Sequence, residues 1–362
     1  MRAILANTIK FTASIALLLT LACSSTLHAD VDTHAAQSRQ HHSQKGFKNN
    51  YLNGEMVGSL IKWQWQRLRD GLPKPPAGGY QFKLEKPDLN WLKNNHDVAT
   101  ATWIGHATVL LQIDGINILT DPIFSERASP VQWAGPKRKV APAINMRELP
   151  HIDIVLISHN HYDHLDLNSV LALNTQAGGP PMFMVPLGIK KWMAEQGIKN
   201  VQELDWWQNT LISGLTVHFV PVQHWSARGI DDRFETLWGG WIVKNNINTK
   251  KPVSVFFTGD TGYSKDFSDI HQRLGAVDLA LIPIGAYEPR WFMQAQHVNP
   301  AEAVQIHQDL HAKKSLAIHW GTFELTDESL DEPPRALKKA KQQAGLTANE
   351  FIVLNHGGML RF

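Results

Sequence analysis

The run Ser158-His159-Asn160-His161-Tyr162-Asp163-His164 sets three imidazoles and a carboxylate within the span His159 to His164. Imidazole with carboxylate suits zinc, iron or manganese, whereas calcium and magnesium prefer oxygen donors throughout. The run directly follows Ile152-Asp153-Ile154-Val155-Leu156-Ile157, an apolar, β-branched stretch that reads as a buried strand. The donors therefore lie on the loop leaving the C-terminal end of a strand, where a rigid scaffold can hold side chains around an ion. The plain alternative is a histidine-rich surface loop, and an H-x-H-x-D-H array placed this way argues against it.

The cluster is too crowded for a single ion. His159 and His161 alternate and can point to one side of an extended loop. Asp163 and His164 come one step later and can turn to a second ion. Further donors stand at the tips of short apolar runs downstream: His224 after Phe219-Val220-Pro221-Val222-Gln223, Asp260 after Val253-Ser254-Val255-Phe256-Phe257-Thr258-Gly259, and His319 after Ser315-Leu316-Ala317-Ile318. A lone histidine in such a place is more often a satisfied structural residue than a ligand. The repetition of the pattern favours a metal site.

The elements that must position these residues are legible as alternating periods. Residues 99–104, 108–113 and 116–120 read as strands, with the turn dipeptide Asp114-Gly115 joining the last two as a hairpin. Helices are expected at about 167–176, 187–196, 300–312 and 332–344, the third opened by Asn299 as cap and Pro300 in its first turn. This alternation fits a strand sandwich with outer helices. With 43% hydrophobic residues, the 362-residue chain can bury a large core. A formal net charge of +2 offers no excess suited to a polyanion, so nucleic acid is not an expected partner.

The constellation resembles the metallo-β-lactamase superfamily, which implies an α/β fold of the αββα sandwich type. Six further motifs narrow the resemblance: Trp103-Ile104-Gly105-His106-Ala107-Thr108; Leu119-Thr120-Asp121-Pro122-Ile123-Phe124-Ser125; Gly135-Pro136-Lys137-Arg138; Leu204-Asp205-Trp206-Trp207; Ile284-Gly285-Ala286-Tyr287-Glu288-Pro289-Arg290-Trp291-Phe292-Met293; and Ala317-Ile318-His319-Trp320-Gly321-Thr322-Phe323. From about Thr102 to the C-terminus the chain is similar to the N-acylphosphatidylethanolamine-hydrolysing phospholipase D family. That resemblance implies two zinc ions, with iron or manganese compatible with the same donors. His159, His161 and His224 would hold the first ion, Asp163, His164 and His319 the second, and Asp260 would bridge them. Asp121 would orient the ligand loop from behind the donors. Its plain reading is a strand-end turn residue before Pro122.

Two cations sharing a water make hydroxide available near neutral pH. The implied reaction is hydrolysis of N-acylphosphatidylethanolamine to an N-acylethanolamine and a phosphatidate, by direct attack of metal-bound hydroxide on phosphorus. The H-x-K-x4-D pattern of phosphohistidine-forming phospholipases D does not occur. Asp163 and His297 are the candidate catalytic side chains, and Tyr162 and His297 the candidate substrate contacts. A hydrolase of this fold acting on a lactone, cyclic phosphodiester or nucleic acid is the alternative function; a non-catalytic envelope binding protein is another, and the intact donor set argues against it.

Outside the motifs, Arg2 and Lys10 precede the apolar stretch Phe11–Ala22, a basic and then apolar pattern expected of a secretory signal over residues 1–29. Cys23, the single cysteine, stands where a bacterial lipoprotein would carry its lipid; cleavage after Ala29 is the alternative. Either implies export to the periplasm or to a membrane. Residues 30–53 read as a flexible tether, 54–97 as an N-terminal helix and connecting segment, and 98–362 as the catalytic domain. In the helix, expected over 54–71, Met56, Leu60, Trp63 and Leu68 fall near one face, with Lys62, Arg67 and Arg69 elsewhere. A diacyl substrate stays in the bilayer, so a membrane surface is the expected partner; the helix, with Trp63 and Trp65, either lies at that interface or packs its tryptophans onto the catalytic domain.

Overall fold

A computed structural model describes residues 40–51, 60–245 and 251–362. The expected signal segment, half of the tether and the first part of the expected helix lie outside these residues. Residues from Gln44 onward form one unit; Gln40–Ser43 belong to another.

Two seven-stranded sheets make up the unit. The first contains β1 (Thr100–Gly105), β2 (Thr108–Ile113), β3 (Ile116–Thr120), β4 (Ile154–Leu156), β5 (Met182–Pro186), β6 (Val201–Leu204) and the late strand β14 (Met359–Arg361), in the order β14-β1-β2-β3-β4-β5-β6. The second contains β7 (Asn209–Ile212), β8 (Leu215–Val220), β9 (Gly240–Asn245), β10 (Ser254–Phe257), β11 (Leu279–Pro283), β12 (Lys314–Ile318) and β13 (Phe351–Ile352), in the order β13-β12-β11-β10-β9-β8-β7. In each sheet an antiparallel half, built from hairpins, continues into a parallel half, β3-β4-β5-β6 and β10-β11-β12-β13. The parallel connections carry helices, as they must to cross over.

Alternation decides which side chains face which layer. Trp103, Val109, Leu111, Ile118, Ile154 and Leu156 of the first sheet share one core with Val217, Phe219, Trp241, Phe257 and Leu281 of the second. The intervening positions, Leu110, Leu119, Val155 and Phe183, pack outward with Val170 and Leu173 of α3 (Leu167–Asn174) and Ile189 and Met193 of α4 (Ile189–Glu195). On the outer side of the second sheet Phe256 meets Phe267 of α5 (Asp266–Leu274), their ring centroids 6.4 Å apart. This is the metallo-β-lactamase αββα sandwich. Both sheets are buried on two faces, so β1, β2, β4 and β11 carry no exposed residue at all.

The expected helices form, trimmed by one to three residues at their ends. The hairpin turn at Asp114-Gly115 takes positive φ at both positions, +50° and +77°, the conformation that matches a tight antiparallel return. Asn299 caps α7 (Pro300–Asp309) through a capping box with Glu302.

Three expectations change. Within the expected tether, residues 47–51 are docked. Phe47 donates its N–H to the Phe234 carbonyl, Asn50 bonds Asp266, and the Tyr51 hydroxyl donates to Asp269. Polar composition misleads here because these side chains are anchored by specific hydrogen bonds. The described part of the expected connecting segment, residues 60–97, is no separate region either: Leu92, in the short helix α2 (Leu89–Asn94), is fully buried beside Leu110 and Leu119. Finally, α1 (Leu60–Asp70) is not held by an apolar stripe. Trp63 alone is buried, stacked on Phe292 at 5.0 Å, while Leu68 is 79% exposed and Leu60 half exposed. The Trp63 indole donates to Asp327 at 2.7 Å, and Arg67 pairs with the same carboxylate at 3.1 Å. No helix among the described residues is long and apolar enough to cross a membrane.

Candidate metal centre

The expected donors, with Asp121 as their expected support, converge from five strand ends. Asp121 follows β3, the His159–His164 loop follows β4, His224 follows β8, Asp260 follows β10 and His319 follows β12. Asp121 and His319 sit in left-handed backbone, with φ of +28° and +59°. Non-glycine residues rarely accept this conformation, and it turns the chain sharply off the strand so that the side chain projects over the sheet edge. Gly259, just before Asp260, also has positive φ, and a Cβ there would lie 2.4 Å from that of Ser158. Only glycine lets these two loops approach so closely.

Two donor groups result. In one, His161 Nδ1 lies 2.8 Å from His159 Nε2 and 3.4 Å from His224 Nε2. In the other, His164 Nε2 lies 3.2 Å from His319 Nε2, with Asp163 Oδ2 3.4 Å from each. Asp260 lies between the groups: its oxygens are 3.1 Å from His164 Nε2 and 3.1 Å from His319 Nε2, and it clusters with His224 and His297 on the other side. Imidazole nitrogens this close, facing one another away from water, repel unless a cation or proton lies between them. His161 Nε2 and His319 Nδ1 have no hydrogen-bond partner among the described residues. The donor set thus fits a pair of metal ions, in spacing and in chemistry.

Behind the donors is a supporting layer. Asp121 is fully buried; its carboxylate accepts from His164 Nδ1 at 2.6 Å, from the Ser158 N–H at 2.7 Å and from the Ser158 hydroxyl at 2.5 Å. Ser158 Oγ in turn lies 2.8 Å from His159 Nδ1. His224 Nδ1 bonds the Gln296 carbonyl, and Asn49 bonds the His224 backbone at both its N–H and its carbonyl. Such partners fix ring orientation and tautomer.

Burial works against charge on every imidazole here. It drives His159 and His224 well below the usual histidine range, and His161 and His297 down to about 4. It also opposes charge on His164 and His319, but there the carboxylates win. Asp260 with Asp163 raises His319 to about 9, and Asp260, Asp163 and Asp121 hold His164 well above its ordinary value. Burial likewise favours neutral Asp163 and Asp260, yet His164 and its neighbours keep both carboxylates ionised. A site that gathers this much compensating charge is built for cations.

A cavity of about 520 Å³ opens onto the donors. His161, Asp163, Asp260 and His297 form its polar floor, and Leu60, Trp63, Trp225, Phe292, Met293 and Leu325 line its walls. His297 Nδ1 is 3.8 Å from Asp260. Tyr162 borders the cavity, but its hydroxyl donates to the Arg228 carbonyl at 2.8 Å and its ring lies under the Arg228 guanidinium at 4.1 Å. Arg228 also donates to the carbonyls of Asn160 and Leu165 and so clamps the ligand loop. The motifs carried no sign of this clamp, nor of Asn49: both work through backbone carbonyls or N–H groups, which any sequence possesses. His106 was visible only as part of a motif, and its imidazole lies 3.0 Å from Asp163.

Comparison with known proteins agrees with this geometry. Residues 116–320 match a family described as the beta-lactamase superfamily domain. The chain is 41% identical over 269 residues to N-acyl-phosphatidylethanolamine-hydrolyzing phospholipase D 1 of Caenorhabditis elegans, covering 71% of this chain and 74% of the relative. It belongs to that phospholipase D family. The mitochondrial N-acyl-phosphatidylethanolamine-hydrolyzing phospholipase D of Saccharomyces cerevisiae is 37% identical over 250 residues, covering 67% of this chain and 52% of the relative. Among solved structures, the metallo hydrolase Igni18 of Ignicoccus hospitalis shares the fold, with a TM-score of 0.54 at 19% identity over 74% of this chain and 99% of its own. Membership in the family makes this chain a metal-dependent hydrolase of the metallo-β-lactamase fold.

Proposed function

We propose that this chain is a binuclear zinc phosphodiesterase of the phospholipase D type that hydrolyses N-acylphosphatidylethanolamine to an N-acylethanolamine and a phosphatidate. The observation that carries the reading is a seven-donor cluster of which three members, His161, Asp163 and Asp260, floor an apolar-walled cavity. A phosphodiester flanked by acyl chains needs both: cations for its phosphoryl oxygens and an apolar wall for at least one chain. Zinc bound here would supply hydroxide near neutral pH and neutralise charge developing on phosphorus.

The chain's own residues do the remaining work. Asp260 sets the spacing of the two donor groups. Trp63, Trp225, Phe292 and Met293 exclude water from the reacting centre and bury hydrocarbon. His297, held neutral by burial, donates an N–H to a phosphoryl oxygen; at about 4 it is too weak a base to be the resident proton source for the leaving alcohol. Asp163, kept ionised, lines the cavity as a donor and as a hydrogen-bond acceptor. Tyr162 acts through Arg228 to shape the ligand loop.

The substrate lies in a bilayer, so the protein works at a membrane surface. Leu60 on the cavity wall continues into Ile61, Trp65 and Leu68, which are exposed on α1 beside Lys62, Arg67 and Arg69. The basic and apolar N-terminus fits export, as a periplasmic protein or as a lipoprotein acylated at Cys23.

Hydrolysis in oxygen-18 water is the test. Water oxygen bonds to phosphorus, the bond from phosphorus to the ethanolamide oxygen breaks, and the leaving oxygen takes a proton. The label is expected in the phosphatidate. Label in the ethanolamide instead would mean carbon–oxygen cleavage and a different mechanism. Turnover of lactones, cyclic phosphodiesters or nucleic acid with none of the lipid would reassign the substrate.

A further inference from the structure

We infer that His106 is a positioning residue of the metal centre: its Nε2–H holds the Asp163 carboxylate in the orientation that lets it share an ion with His164 and His319. The inference rests on the two-ion reading above and deepens it.

The donors differ in what anchors them from behind. His164 is anchored by Asp121, His159 by Ser158 and His224 by the Gln296 carbonyl. Asp163 borders the open cavity and its carboxylate can turn about its last torsion. Apart from the other donors, the side chain close to it is His106, whose Nε2 is 3.0 Å from Asp163 Oδ2. An ionised carboxylate only accepts, so His106 Nε2 must be the donor and the ring carries its proton there. His106 Nδ1, buried and with no hydrogen-bond partner among the described residues, is then the bare nitrogen.

The backbone around His106 is locked beyond what a turn requires. His106 lies between β1 and β2, in left-handed conformation with φ of +53°. Its N–H donates to Thr322 Oγ1 at 3.1 Å. Its carbonyl accepts from the Trp103 indole at 2.9 Å and from the backbone N–H of His319 at 2.9 Å. The ring stands edge-on to Phe323 at 5.1 Å and 4.0 Å from the His319 ring. One residue therefore ties the β1 turn in the first sheet to the His319 turn in the second, and aims its only proton at Asp163. A strained residue held this firmly is expected where geometry matters to function.

Two substitutions separate this role from the alternatives. In His106→Gln the amide nitrogen reaches about as far as imidazole Nε2 and keeps the donor. In His106→Asn the amide reaches only as far as Nδ1; the donor is lost while a residue that tolerates left-handed backbone is kept. His106→Gly accepts the same backbone and serves as a second short variant if Asn folds poorly. Metal-depleted protein is titrated with cobalt, following the ligand-field absorption of each equivalent, with folding checked by near-ultraviolet circular dichroism. For Asn the second equivalent should bind roughly 10- to 100-fold more weakly with the first unchanged, and for Gln within about threefold of wild type, the range set by supporting residues elsewhere. If Gln loses the second ion as fully as Asn, His106 is a ligand or a packing ring rather than a positioning donor, and the inference falls. If wild type binds two ions and Asn binds both as tightly, it falls alone. If wild type binds fewer than two, the two-ion reading falls and takes it along.

Discussion

Asp260 is the residue on which both donor groups depend. It is buried, it is kept ionised by His164 and His319, which lie 3.1 Å from its oxygens, and it also clusters with His224 and His297. Asp260→Ala should therefore remove the bridge rather than weaken one site. Supporting residues around metal ligands are worth about 10- to 100-fold in affinity or activity, so loss of the bridge should exceed ~100-fold in both. Elemental analysis beside a lipid assay checks this; full activity with one tightly bound ion per chain would count against the pair. Asp121 contrasts with it. Its burial and its bonds to His164 and Ser158 make it a support for the ligand loop, and the turn-residue reading accounts for neither bond.

At the scale of elements, α1 separates two roles that the sequence merged. Trp63 and Trp65 both suggested an interfacial helix. Trp63 is buried, stacked on Phe292 and bonded to Asp327, so its removal should cost about 3–5 kcal/mol as a core tryptophan. Trp65, 64% exposed, touches little and is the clean probe. Trp65→Ser should weaken liposome binding roughly tenfold or more, the worth of one large apolar side chain, while turnover of a soluble short-chain substrate holds. Unchanged liposome binding would remove α1 from the membrane contact. The helix also explains why the family-specific motif is long: Phe292 and Met293 line the cavity on one side and receive Trp63 on the other.

At the scale of the whole molecule, the donors and their support come from both sheets: Asp121, the support, and the His159–His164 loop from the first, His224, Asp260 and His319 from the second. Ions held there would fasten the two layers at one edge. A ligand that binds only the folded state stabilises it by about 4 kcal/mol at a thousand times its dissociation constant. For a chain of this size each kcal/mol is worth roughly 1–2 °C, so stripping two ions, together worth about 8 kcal/mol, by a chelator should lower Tm on the order of 10 °C. A melting curve that ignores the chelator, in protein shown by elemental analysis to have lost its metal, would mean that the site is not a structural fastening.

The sequence by itself determined which donors could share a site and the scaffold that carries them. His159, His161, Asp163, His164, His224, Asp260 and His319 were legible because each follows a short apolar run, and strand periodicity is a local signal that survives in one dimension. The sandwich followed from the same alternation. What only the tertiary structure decided is everything held by backbone groups or by distant partners. The docking of residues 47–51 runs through Phe234, His224 and Asp266, far away in sequence. The Arg228 clamp acts on carbonyls, which leave no mark in residue identity. Whether a tryptophan of α1 is core or rim depends on Phe292, more than two hundred residues away, and a helical period cannot say which side of a surface helix finds a partner.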